Sequence, residues 1–176
     1  MDYVQKNVHY QIRVADVEDA EQLSQIRLQI DGETENLDRE KGEAYLSPGD
    51  FLKLIKADQK KENHLFLVAA INEKIVAFSR CEGSSLKRFS HKVDFGVAVL
   101  KNYWGYQIGS NLLKESINWA QSTNIKKMSL AVLEKNDKAI KLYQKFGFQQ
   151  EGLLVNDKLL SDGELYHTVL MAKYFD

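Results

Sequence analysis

Val97-Ala98-Val99-Leu100-Lys101-Asn102-Tyr103-Trp104-Gly105-Tyr106-Gln107-Ile108-Gly109-Ser110-Asn111-Leu112-Leu113 reads as a buried strand, a tight glycine-containing turn and the start of an amphipathic helix. Such a unit aims the free backbone N–H groups of a helix N-terminus at one point, where partial positive charge gathers. Gly105 and Gly109 keep side-chain bulk away from that point, and Ser110 and Asn111 place short polar groups in the first helical turn. From Ile108 onward Leu112, Leu113, Ile117 and Ala120 recur at helical spacing, so one face of the helix rests on a sheet. The arrangement suits a phosphate group, as in a diphosphate. Neither the G-x-G-x-x-G fingerprint nor a loop ending in Gly-Lys-Ser/Thr is present.

A second segment, Asn136-Asp137-Lys138-Ala139-Ile140-Lys141-Leu142-Tyr143-Gln144-Lys145-Phe146-Gly147-Phe148, is a short helix with clear punctuation. Asn136 is a good N-cap, and Gly147 stands where a left-handed C-terminal residue is wanted. Ala139, Leu142, Tyr143 and Phe146 form one apolar stripe. Tyr143 lies on that stripe, so its ring is expected to be buried while its hydroxyl seeks a partner.

Taken together and in this order, the two segments resemble the GNAT superfamily of acyl-CoA-dependent N-acetyltransferases. The resemblance runs from about Tyr10 to the end of the chain. The ending Asp162-Gly163-Glu164-Leu165-Tyr166-His167 through Met171 is also similar to small bacterial members. In that family the first segment binds the pyrophosphate of acetyl-CoA, which implies cofactor contacts at Trp104, Gly105, Tyr106, Gln107, Ile108, Gly109 and Ser110. The second segment carries an Asn near the cofactor and a Tyr near its sulfur, here Asn136 and Tyr143. The chain departs from the family's Arg/Gln-x-x-Gly-x-Gly/Ala pattern in two places. Trp104 replaces the first polar residue and Gln107 the central glycine. Backbone amides do not depend on residue type, but Gln107 adds bulk and disfavours positive φ, so weaker cofactor binding is expected.

Composition narrows the class. The 176 residues are expected to form a single domain, 1–176, with a well-buried core. A net charge of −1 argues against a general nucleic-acid or membrane binder. The longest strongly apolar run, Leu65 to Ile71, is too short to span a bilayer, and Met1 to Lys6 has no signal-peptide core. Cys81 is the sole cysteine, which excludes an internal disulfide framework. A cytoplasmic location is the expectation. His9, His64, His91 and His167 make no metal-ligand spacing with one another or with Cys81, so no metal is expected. Nothing resembles a nucleophile elbow, and Cys81 in an apolar strand reads as a small core residue.

The organisation is continuous, without repeat or linker. Strands are expected at Tyr10–Val14, Leu65–Ala70, Ile75–Cys81, Lys92–Val99, Lys127–Leu133, Phe148–Leu154 and Leu165–Tyr174. Helices are expected over Asp16–Ile30, from Pro48 to about Ile55, over Ile108–Ser122 and over Asn136–Phe146. The Asn72-Glu73 turn suggests a hairpin. The strand–helix–strand unit from Val93 to Leu133 demands a parallel pair with a right-handed crossover, and short connections elsewhere favour antiparallel neighbours. The fold class is therefore α/β, a mixed, mostly antiparallel sheet of about seven strands with helices on both faces, and the resemblance implies a GNAT-like sheet with a central splayed parallel pair.

The family resemblance also implies a mechanism. Backbone groups of Val97 and Val99 would pair with the pantetheine arm, one N–H polarising the thioester carbonyl. An amine would attack that carbonyl directly, and Tyr143 would protonate the departing thiolate. Amines near a pKa of about 10.4 must first lose a proton, for which Asp94 is the candidate base and Glu82 the other. The acidic loop Asp31–Glu43 would wall the acceptor pocket, with Glu33 and Glu35 the first choices for contacting a cationic amine. The expected function is transfer of acetyl from acetyl-CoA to a primary amine of a small molecule or peptide. A non-catalytic GNAT-like acyl-CoA-binding or interaction module is the alternative. The oligomeric state is not readable, and a homodimer is compatible with the chain.

Overall fold

The computed structural model describes residues 1–176, which build one eight-stranded sheet flanked by helices. In chain order the elements are β1 (Asp2–Gln5), β2 (Val8–Val14), α1 (Ala20–Asp31), α2 (Pro48–Asp58), β3 (Leu65–Ile71), β4 (Lys74–Gly83), β5 (Lys92–Val99), α3 (Ile108–Gln121), β6 (Lys127–Leu133), α4 (Asp137–Lys145), β7 (Gln149–Leu159) and β8 (Leu165–Tyr174). The strands lie in the order β1-β2-β3-β4-β5-β6-β8-β7. Every neighbouring pair is antiparallel except β5 and β6.

The apolar run of β3 is buried on both sides because helices cover both faces of the sheet. On one face Phe51 of α2 packs on Phe66, which meets Phe78 edge-on at 6.1 Å. On the other, Ser79 of β4 faces Ser116 of α3, and Tyr143 of α4 tilts against Phe148 at 5.7 Å. Helix starts follow local chemistry. Ser47 and Asp50 form a capping box around Pro48, and the Asn136 side chain accepts from the Ala139 amide. Cys81 is fully buried, and burial pushes its thiol up to about 12, which keeps it inert.

Three elements depart from the sequence reading. The sheet has eight strands rather than seven, because β1 precedes β2 through a turn at Lys6 and Asn7. Both turn residues have positive φ, as do Asn72 and Glu73 in the β3–β4 hairpin. A turn with two left-handed residues matches the twist of its strands, and Lys-Asn is a weak sequence signal for one. Strand β7 continues to Leu159, and a 3-10 turn at Val17–Asp19 precedes α1.

A buried polar cluster fastens α2 to β4. Asp58, 4% exposed, receives the Arg80 guanidinium at 2.6 and 2.9 Å and meets His64 Nδ1 at 2.8 Å. His64 Nε2 reaches the Gly83 carbonyl at 2.9 Å, and Arg80 also meets Glu82 at 2.6 Å. A side chain at Gly83 would collide with the backbone oxygen of Asn63, 2.6 Å from its Cβ.

Candidate active site

The parallel ladder between β5 and β6 has three rungs, Lys92/Lys127, Val93/Met128 and Asp94/Ser129, after which the strands part. The Leu100 amide donates to the Val76 carbonyl at 3.0 Å, and the β4–β5 register is unbroken. In an antiparallel pair, hydrogen-bonded and non-bonded positions alternate. Even-numbered residues of β5 therefore bond to β4; the Phe95 amide closes the last parallel rung on Ser129, and beyond it Val97 and Val99 turn their amides and carbonyls into the gap. The Val99 carbonyl is closed by the Trp104 indole at 2.9 Å. Open main-chain donors thus line one wall of a tapering cleft, where an extended ligand can pair as a strand does.

At the wide end of the cleft, β5 runs into the loop before α3. Gly105 has φ +82° and Gln107 has φ +59°, followed by the right-handed turns of α3. A left-handed residue before right-handed ones forms a concave nest of N–H groups. The amides from Gly105 to Ser110 donate to no protein acceptor; the first helical amide with one is Asn111, bonded to the Gln107 carbonyl at 2.9 Å. A Cβ at Gly109 would meet only Val99, at 3.5 Å, so the protein itself does not demand glycine there. These features fit the diphosphate and extended arm of an acyl-CoA.

Gln107 holds the left-handed conformation despite its side chain. That conformation costs a non-glycine residue roughly 1–2 kcal/mol, and glycine loses part of the gain to chain entropy. Gln107→Gly is expected to stabilise the protein by about 0.5–1 kcal/mol. The measurement is a higher denaturation midpoint at unchanged slope. A lower midpoint would show that the Gln107 side chain supports the loop.

Tyr143, 8% exposed, sits in the core beneath α4, and its hydroxyl has no hydrogen-bond partner in the protein. Burial pushes it up to about 12, so the hydroxyl keeps its proton at neutral pH. Asn136 caps α4 through Oδ1 at 3.3 Å, leaving its amide nitrogen free. Asp94 is exposed at the last rung of the parallel ladder, on the face opposite α3, and lies across from Glu82. Glu82 is paired with Arg80.

The acidic loop after α1 is tied down at several points. Glu33 accepts from the Lys101 amide and from Gln29, both at 2.7 Å, which joins the loop to the end of β5. Glu35 accepts from the Ser161 amide at 2.8 Å, and hydrogen bonding to Ser161, by its side chain first and its amide second, holds the Glu35 carboxyl below the ordinary carboxylate value. Asp38 pairs with Lys158. The loop therefore bridges the cofactor-type turn and the β7–β8 hairpin.

Sequence reasoning missed the contribution of the β1–β2 hairpin. Tyr10, 3% exposed, receives the Asn111 side chain at 2.6 Å and donates to the Tyr106 carbonyl at 3.4 Å, spanning the left-handed Gln107. Tyr3 donates to Glu115 of α3. These contacts join residues about a hundred positions apart, and no local pattern announces them.

The chain matches the model of the acetyltransferase (GNAT) family over residues 31–148. It is 32% identical over 111 residues to the L-amino acid N-acetyltransferase AaaT of Escherichia coli (strain K12), covering 61% of this chain and 66% of the relative. Its fold is similar to a GNAT-family acetyltransferase from Streptococcus pneumoniae, at a TM-score of 0.91 and 27% identity, covering 95% of this chain and 99% of that one. It is also similar to yncA of Salmonella typhimurium, solved with its cofactor acetyl-CoA, at a TM-score of 0.83 and 20% identity, covering 95% and 94%. No helix is long and apolar enough to cross a membrane, and no group of His, Cys, Asp and Glu is assembled to hold a metal ion. The splayed β5–β6 pair and the match over residues 31–148 make this chain a member of the acetyltransferase (GNAT) family.

Proposed function

We propose that this chain transfers an acetyl group from acetyl-CoA to the primary amine of a small molecule or peptide. The observation that carries the reading is the pair of unpaired main-chain donor sets along one wall of the cleft, at Val97 and Val99 and then from Gly105 to Ser110. Bound along that wall, acetyl-CoA supplies an activated thioester. The amides of Gly105 through Ser110 hold its diphosphate, beside Trp104, and Asn136 flanks it. Val97 and Val99 hold the pantetheine arm, and one of their N–H groups polarises the thioester carbonyl. Asp94 takes the proton that a cationic amine must lose, directly or through water. Tyr143 gives its proton to the departing thiolate.

The acceptor enters under the acidic loop. Glu35, anchored on Ser161, is the proposed contact for a cationic amine. Both oxygens of Glu33 are engaged, so its part is to hold the loop and add to its negative field. The relative's name makes L-amino acids the first acceptors to screen. The same reading takes residues 1–176 as one acetyltransferase domain working in the cytoplasm and is compatible with a homodimer.

The test is a calorimetric titration with acetyl-CoA, repeated as a thermal shift. At a hundredfold excess over Kd the ligand should add about 2.7 kcal/mol of stability. Saturable one-site binding, followed by CoA release with an amine, is expected. No binding at millimolar ligand overturns the reading. Binding without turnover across amino acids, polyamines and peptide amines leaves the non-catalytic module.

A further inference from the structure

Lys6 stands in the β1–β2 turn, and its ammonium hangs over the loop that leads into α3. Its Nζ lies 3.8 Å from where a Cβ on Gly105 would be and 5.6 Å from the centre of the Tyr106 ring. The ion pairs of the chain do not include Lys6. The hairpin that carries it is fixed in place. The Ile12 amide donates to the Met1 carbonyl at 2.8 Å, and Tyr3 and Tyr10 fasten the hairpin to α3. A cation held beside undonated amides and a helix N-terminus sits in a positive potential, an arrangement that an anion between them would relieve.

The only basic side chain of the loop before α3 is Lys101, at its start. From Trp104 to Asn111 there is no Lys or Arg, and the Trp104 indole is spent on the Val99 carbonyl. We propose that Lys6 is a phosphate-binding residue, supplied by the N-terminal hairpin to the phosphates of CoA. This inference rests on reading the loop as the CoA diphosphate site. The diphosphate and the 3′-phosphate of CoA present the same chemistry to an ammonium group.

The test compares the parent chain, Lys6→Met and Lys6→Arg by calorimetry with CoA and with dephospho-CoA, which lacks the 3′-phosphate. Met keeps the apolar stem over Tyr106 and removes the charge. Lys6→Met should weaken CoA binding about three- to tenfold at low ionic strength. Its affinity should also depend less on salt, because one screened attraction is gone. Lys6→Arg should restore affinity. An equal loss for both ligands assigns Lys6 to the diphosphate, and a loss for CoA alone assigns it to the 3′-phosphate. Unchanged affinity in Lys6→Met overturns the proposal, as does an equal loss in Lys6→Met and Lys6→Arg, which would mark a purely structural role. A parent chain that fails to bind CoA overturns the reading of the loop instead.

Discussion

Asp58→Ala is expected to unfold about 10 °C below the parent chain, a loss of about 3 kcal/mol. The carboxylate is buried and answers both Arg80 and His64, so its removal strands a guanidinium and an imidazole that share one partner. Breaking a buried pair from one side costs roughly 3–5 kcal/mol, and the remaining Arg80–Glu82 contact puts this case at the low end. Burial alone would raise the Asp58 carboxyl, but Arg80 and His64 outweigh it and hold it below the usual carboxylate range. A carboxyl lower in the folded than in the unfolded chain stabilises fully above its unfolded value of about 3.9. That contribution is lost as pH falls through the folded value. The gap between parent and variant should be full at neutral pH and narrow below about pH 4. Urea titrations at both pH values measure it, and a neutral-pH loss under about 1 kcal/mol would show that Arg80 and Glu82 suffice.

Tyr143→Phe should lower kcat about a hundredfold while leaving the Kd for acetyl-CoA and the melting temperature nearly unchanged. The separation follows from placement. The ring fills the core beneath α4 and is kept by Phe, whereas the hydroxyl bonds to nothing in the protein. Its loss costs no internal hydrogen bond, so any fall in turnover belongs to the reaction. With a value near 12, the hydroxyl stays protonated through the neutral range, and the rising limb of the pH–rate profile should report the amine and its base. Undiminished turnover would remove Tyr143 from the proposed chemistry.

Strands bounded by strong punctuation are legible in the chain: β5, β6 and β8 lie where their apolar runs end in polar or turn residues. Strand β1 is not legible, because Asp2 to Gln5 is half exposed and its Lys-Asn turn lacks the glycine that advertises a hairpin. The same division runs through the candidate site. The glycine turn and the Asn136–Tyr143 helix are local patterns, each readable from neighbours in sequence. The Glu33 bond to Lys101, the Glu35 bond to Ser161 and the Tyr10 bridge across Gln107 are tertiary, and nothing nearby in sequence encodes them. The direction in which Val97 and Val99 aim their amides depends on strand register, which only the assembled sheet settles.

Because β5 and β6 share only three rungs, the sheet is two half-sheets joined at one end, each with an edge turned inward. Open strand edges are ordinarily templates for aggregation, since any passing chain can add itself to the row of free donors. Here those donors face one another across a tapering gap instead of facing solvent. One outer edge, β7, shows the contrast: it faces away from the sheet with Leu153, Leu154, Val155 and Leu159 exposed. The protein thus keeps its inner donors available to a thin ligand while denying them to a second polypeptide, and its risk of strand-to-strand association lies at the outer edges, where β7 is longer and more apolar than β1.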